Sequence, residues 1–228
     1  MTSRLAPLFD ACGAEHRGAL VGYLPAGYPT VEGSQALLRA MLNGGCDLVE
    51  VGIPYSDPVL DGPTIQAAAE AALRGGVRLR DVLATVETIA GAGGRAVVMT
   101  YWNPVHRYGV DAFARDVAAA GGLGVITPDL IPDEAHDWLA ASHEHDLDRI
   151  FLVAPSSTDQ RLESTAAASR GFLYASSLMG VTDTHGQIGR VLPYPADQRC
   201  RGTAHHVAGA GHAHQGTRVQ EATACSCG

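Results

Sequence analysis

At 228 residues, 46% of them hydrophobic and 18% charged, the chain is large enough for one domain with a substantial core. A formal net charge of -8 argues against nucleic acid and against an anionic membrane surface as partners. No apolar run approaches the length of a membrane span, the N-terminal stretch lacks the basic-then-apolar order of a secretory signal, and Cys12 and Cys46 stand isolated, so a cytoplasmic location is expected.

In chain order, the first short apolar run, 19–23, reads as a strand, and the Ala- and Leu-rich segment 31–43 as a helix. A strand at 46–52 follows, then helices at 64–74 and 79–89 and a strand at 96–101. The alternation continues with a helix at 110–120, a strand at 124–127, a helix at 134–141, a strand at 149–153, a helix at 159–169 and a strand at 171–176. Gly44-Gly45, Gly75-Gly76 and Gly121-Gly122 fall just past helices, where left-handed caps are wanted. Strands and helices alternating at this spacing predict a parallel sheet built from βα units. About six units point to a (β/α)8-type TIM barrel with two units still to come. An open doubly wound sheet is the alternative, weakened because no GxGxxG follows the first strand.

The expected continuation does not arrive. From Asp183 onward the sequence shows neither strand nor helix periodicity, and no leucine follows Leu192. So few large apolar groups offset ordering entropy poorly, and 183–228 is expected to be an irregular, largely disordered tail. Its His205, His206, His212, His214, Cys225 and Cys227 match no paired zinc-ligand spacing, so no metal site is expected.

The stretch 48–66, LVEVGIPYSDPVLDGPTIQ, carries the strongest chemical signal. In a strand, Leu48, Glu50 and Gly52 share one face, and a carboxylate among apolar neighbours is costly unless its pKa rises toward neutrality. Glu50 is therefore a candidate acid/base residue; an edge-facing or salt-bridged glutamate is the other reading. Gly52 removes bulk on the same face and would leave room for a ligand. Asp61 precedes Gly62-Pro63-Thr64 and either starts the following helix by accepting its free N–H groups or faces the same ligand as Glu50. Asp57 reads as a solvated or partner-facing charge. Tyr23, Met99, Tyr101, Asn103, Ile126 and Tyr174 fall at or beside strand ends, where they either pack the barrel or line a flat apolar pocket for an aromatic ligand.

That stretch, together with YLPAGYP (23–29), MTYWNP (99–104), ITPDLIPDE (126–134) and YASSLMGVT (174–182), resembles the tryptophan synthase alpha chain family over about residues 1–182. The resemblance implies a (β/α)8 barrel and a lyase that cleaves indole-3-glycerol phosphate to indole and glyceraldehyde 3-phosphate. It implies Glu50 as general acid/base and Asp61 as acceptor of the indole N–H. It places Tyr23, Met99, Ile126 and Tyr174 around the indole, Tyr101 and Thr182 at the substrate, and Asp57 and Pro58 against a beta chain in an α2β2 assembly. No cofactor is implied in this chain; pyridoxal phosphate belongs to the beta chain. The family pattern GVTG reads Gly180-Val181-Thr182-Asp183 here, and the later GFGI and GSA segments of the phosphate site are missing. So abrupt a switch is what a reading-frame shift produces. Little activity is therefore expected, and the alternatives are an impaired fragment that only binds or modulates the beta chain, or another phosphate-handling barrel.

Overall fold

The computed structural model describes residues 2–176, 206–209 and 223–225. Five parallel strands, β1 (Leu20–Pro25), β2 (Leu48–Gly52), β3 (Ala96–Met99), β4 (Gly124–Ile126) and β5 (Asp148–Ile150), lie side by side in sequence order. Consecutive order without a reversal is the winding of a barrel rather than of a doubly wound sheet. The run expected as one strand at 149–153 is divided. Its first part, β5, pairs with β4, whereas β6 (Leu152–Val153) pairs with β7 (Leu173–Ala175).

The expected helices are present as α2 (Val31–Asn43), α3 (Pro63–Arg74), α4 (Leu79–Gly91), α6 (Val110–Ala119), α7 (His136–Glu144) and α8 (Asp159–Ala168). Local chemistry sets their starts. Thr30 caps α2 by accepting the Gly33 N–H at 3.0 Å, and Asp81 folds back to accept the Arg78 N–H at 2.8 Å ahead of α4. Gly76 and Gly121 take positive φ, 83° and 85°, just past α3 and α6, as the glycine pairs predicted.

Two helices escape the periodicity: α1 (Ala6–Ala14) and α5 (Trp102–Tyr108). α1 closes the bottom of the barrel. Its Leu8, Phe9 and Cys12, with Leu5, pack against Val21, Leu48, Ile150 and Phe172 in one interior cluster. A second cluster lies outside the sheet, where Val49, Val51, Val98 and Val125 meet the helices. The two clusters are the two faces of the strands, separated by the period-two alternation.

Two short segments depart from the irregular tail expected over 183–228: β8 (His206–Gly209) runs parallel to β1, and β9 (Thr223–Cys225) antiparallel to β7. The sixth expected strand, β7, is therefore not a bare edge. Unpaired N–H and C=O groups on an edge strand are a template for any extended segment within reach, and both edges are so occupied. The rest of the tail, with its histidines and cysteines apart from His206 and Cys225, lies outside the described residues. Among the described residues no helix is long and apolar enough to cross a membrane.

Candidate functional site

β2 places Glu50 at its centre, not at its C-terminal end, with Tyr23 of β1 and Val97 of β3 beside it in register. The side chain is 1% exposed, and Oε1 has no hydrogen-bond partner. Neither the edge position nor the salt bridge of the structural reading is found: no ion pair among the described residues involves Glu50. Burial alone, with no compensating charge, pushes its carboxyl up to about 8. Glu50 is thus a neutral acid at pH 7.

The room left by Gly52 is filled by protein. A Cβ there would lie 2.5 Å from the Tyr23 hydroxyl and 2.9 Å from the ring, so the missing side chain admits the tyrosine, not a ligand directly. Tyr23 is the hub of the site. Burial raises its phenol well above the ordinary value, and Asp61, Glu50, Tyr101 and Tyr174 all act on it electrostatically. Tyr174 is likewise raised by burial and then by Glu50.

Asp61 is not a helix cap. The N-cap of α3 is Gly62, with Pro63 supplying the first turn, and no side chain caps it. The Asp61 backbone carbonyl accepts Gln66 Nε2 at 2.8 Å. Burial raises the Asp61 pKa, and the Tyr101 hydroxyl opposes that rise. Tyr101 is buried, accepts the Leu60 N–H at 2.9 Å, and is pushed up to about 12, chiefly by burial. It stays a donor.

Met99 and Tyr174 are half-buried and pack against the interior cluster, whereas Ile126 has no exposed surface and sits within it. Thr182 lies outside the described residues. Asp57 and Pro58 stand on the β2–α3 loop, where the exposed Asp57 accepts the Ser56 hydroxyl at 2.5 Å and Val59 is 73% exposed. A surface cavity of about 340 Å³ lies under this loop, lined by Tyr55, Asp57, Pro58 and Gln66 among others. Tyr55 carried no signal in the sequence, whereas Asn103 stood out only as a residue beside a strand end. Asn103 Nδ2 donates to the Tyr55 hydroxyl at 2.9 Å, and the Tyr55 ring lies 5.3 Å from that of Tyr101. Asp111, Glu144 and His145 form a surface trio with metal-ligand atoms within 4.8 Å of one another, away from Glu50; His145 Nε2 and Asp111 Oδ1 pair at 2.9 Å.

The arrangement presents one neutral carboxylic acid inside the barrel and a second carboxyl, its pKa moderated by a phenol, on the loop above it. Comparison with known proteins agrees with the fold. The sequence model described as Tryptophan synthase alpha chain matches residues 9–194, so the likeness runs past Thr182. Tryptophan synthase alpha chains of Mycobacterium bovis and Mycobacterium tuberculosis are each 69% identical over 191 residues, covering 84% of this chain and 71% of theirs. A solved Mycobacterium tuberculosis tryptophan synthase superposes with a TM-score of 0.79 at 70% identity, covering 82% of this chain and 73% of that one. The alpha subunit from Legionella pneumophila gives 0.74 at 32% identity, covering 78% and 68%.

Proposed function

The chain belongs to the tryptophan synthase alpha chain family, and from that premise we propose that its residues 1–182 carry the acid/base apparatus for aldol cleavage of indole-3-glycerol phosphate. The observation that carries this is Glu50: buried, with Oε1 unpartnered, and raised to about 8 with no partner charge. A group so placed is a proton donor waiting for a substrate.

Cleavage needs the indole ring protonated at the carbon bearing the glycerol chain. Glu50 gives that proton, and the ring becomes a cation whose charge rests largely at nitrogen. Asp61 accepts the ring N–H and offsets the charge, and the Tyr101 hydroxyl favours its ionised form. The Glu50 carboxylate then takes the proton of the glycerol hydroxyl, the carbon–carbon bond breaks, and its electron pair returns to the ring. Indole and glyceraldehyde 3-phosphate leave, and Glu50 is again protonated. The two carboxyls divide the labour because their surroundings differ. Tyr23, Met99, Tyr174 and the underlying Ile126 supply the apolar seat for the ring. The family works with a beta chain, and Asp57 and Pro58 on the exposed loop are proposed as contacts to it.

A second reading is favoured by one observation: the family match stops at residue 194, and the chain covers 71% of the length of the mycobacterial relatives. On that reading the chain binds a beta chain without turning over substrate. Indole release by the purified chain, with and without beta chain, separates the two. Release lost in Glu50→Gln supports the acid/base reading; release unchanged in that variant removes it. No release from the parent, with binding to beta chain intact, favours the second.

A further inference from the structure

We propose that Asp129, on the loop after β4, is a positioning residue that holds the Asp61 side of the site through the N-terminus of α5. The inference rests on the acid/base reading of Asp61. α5 has no cap of its own, because the side chain of its N-cap residue, Tyr101, makes no capping bond. The cap comes from Asp129 instead, whose two carboxylate oxygens accept the Trp102 N–H at 2.9 and 3.1 Å.

Asp129 is firmly based. On one side Thr127 donates its N–H to Ile150 at 3.2 Å, and on the other Leu130 is buried in the outer core. What Asp129 grips is the part of the chain that reaches across to the β2–α3 loop. Tyr101, immediately before Trp102, accepts the N–H of Leu60, the neighbour of Asp61, and its hydroxyl lowers the Asp61 pKa. Asn103, immediately after it, donates to Tyr55 on the same loop. The turn is braced from below, where Thr100 donates its N–H to Ile126 at 3.1 Å and its hydroxyl to the Tyr101 carbonyl at 3.0 Å. Tyr101 and Asn103 thus clasp the Asp61 loop, and one carboxylate from the next βα unit fixes Trp102 between them. Asp129 sets where Tyr101 stands, and Tyr101 sets where Asp61 stands.

Amide hydrogen exchange on the full chain tests this without requiring turnover, since the Leu60 N–H reports the clasp directly. In Asp129→Ala, exchange at Trp102 and Leu60 should both rise about tenfold, the scale of one lost hydrogen bond. Val49 and Leu123, whose N–H groups bond Arg95 and Ala96, should be unaffected. Asp129→Asn keeps an acceptor and should retain both protections. Tyr101→Phe should release Leu60 but not Trp102, and adding Asp129→Ala to it should free Leu60 no further. Leu60 protection unchanged in Asp129→Ala would reduce Asp129 to a local cap and overturn the proposal. So would a loss spread equally over Val49 and Leu123. Failure of Glu50 or Asp61 to act in indole release leaves these readings untouched, so the two ideas fail separately.

Discussion

Glu50 and Asp148 are both carboxyls on the inner face of the sheet, exposed by 1% and 0%, yet they meet opposite surroundings. Asp148 accepts from the Ser3 hydroxyl at 2.7 Å, the Leu5 N–H at 2.9 Å and Arg170 Nε at 2.7 Å. It ties the N-terminal segment to the base of the barrel. Glu50 has no such donors at Oε1 and stays protonated. This has a consequence for stability. With a folded pKa of about 8 against an ordinary 4.5, the folded chain holds a proton that the unfolded chain has lost across that interval. The contribution of Glu50 is full below the lower value and is lost as pH rises through the upper one, at up to about 1.4 kcal/mol per pH unit. Glu50→Gln does not titrate, so its unfolding free energy should gain on the parent's as pH rises. Urea unfolding of both at about pH 5.5 and about pH 8.5 measures the gap; a gap that does not widen would mean Glu50 is ionised in the fold. The sequence exposed this residue because a charge in an apolar, period-two run is visible locally. It did not expose Asp148, whose donors lie 22 to 145 positions away.

At the scale of elements, helices with an apolar stripe were legible. Residues 31–43 were read to their ends because Thr30 and the following glycines punctuate them. α1 and α5 were not. α1 is nine residues whose Leu8, Phe9 and Cys12 pack on strands and a loop far along the chain, so its pattern makes sense only once the barrel exists. α5 is seven residues with a proline inside and its cap borrowed from Asp129. The unread α1 bears much of the interior. Phe9 is 6% exposed and meets Phe172 edge-to-face at 5.7 Å. Phe9→Ala should cost about 3–5 kcal/mol, the usual range for emptying an aromatic from a core. Chemical unfolding would show it as a lower midpoint at unchanged slope; a loss below about 1 kcal/mol would mean that α1 is not part of the core.

At the scale of the molecule, the proposed acid/base half of the site and the half that should hold the phosphate fall in different parts of the chain. Glu50 and Asp61 lie within the strands and loops of the first 176 residues, which pack as the family packs. The phosphate of such barrels is held by late loops and a helix N-terminus, and here Asp183 follows Thr182 where the resemblance wants glycine. If the resemblance holds at that position, a carboxylate in place of the glycine repels a phosphate, and the net charge of -8 offers no general attraction. The chain should therefore bind the indole ring but gain little from the phosphorylated side chain. Calorimetry on Glu50→Gln, which cannot consume the ligand, compares indole with indole-3-glycerol phosphate directly. The two affinities should agree within about tenfold, or about 1.4 kcal/mol. An advantage above about a hundredfold for the phosphorylated ligand would mean that a phosphate site forms from this sequence after all. Asp183→Gly should then strengthen it further by removing the opposing charge.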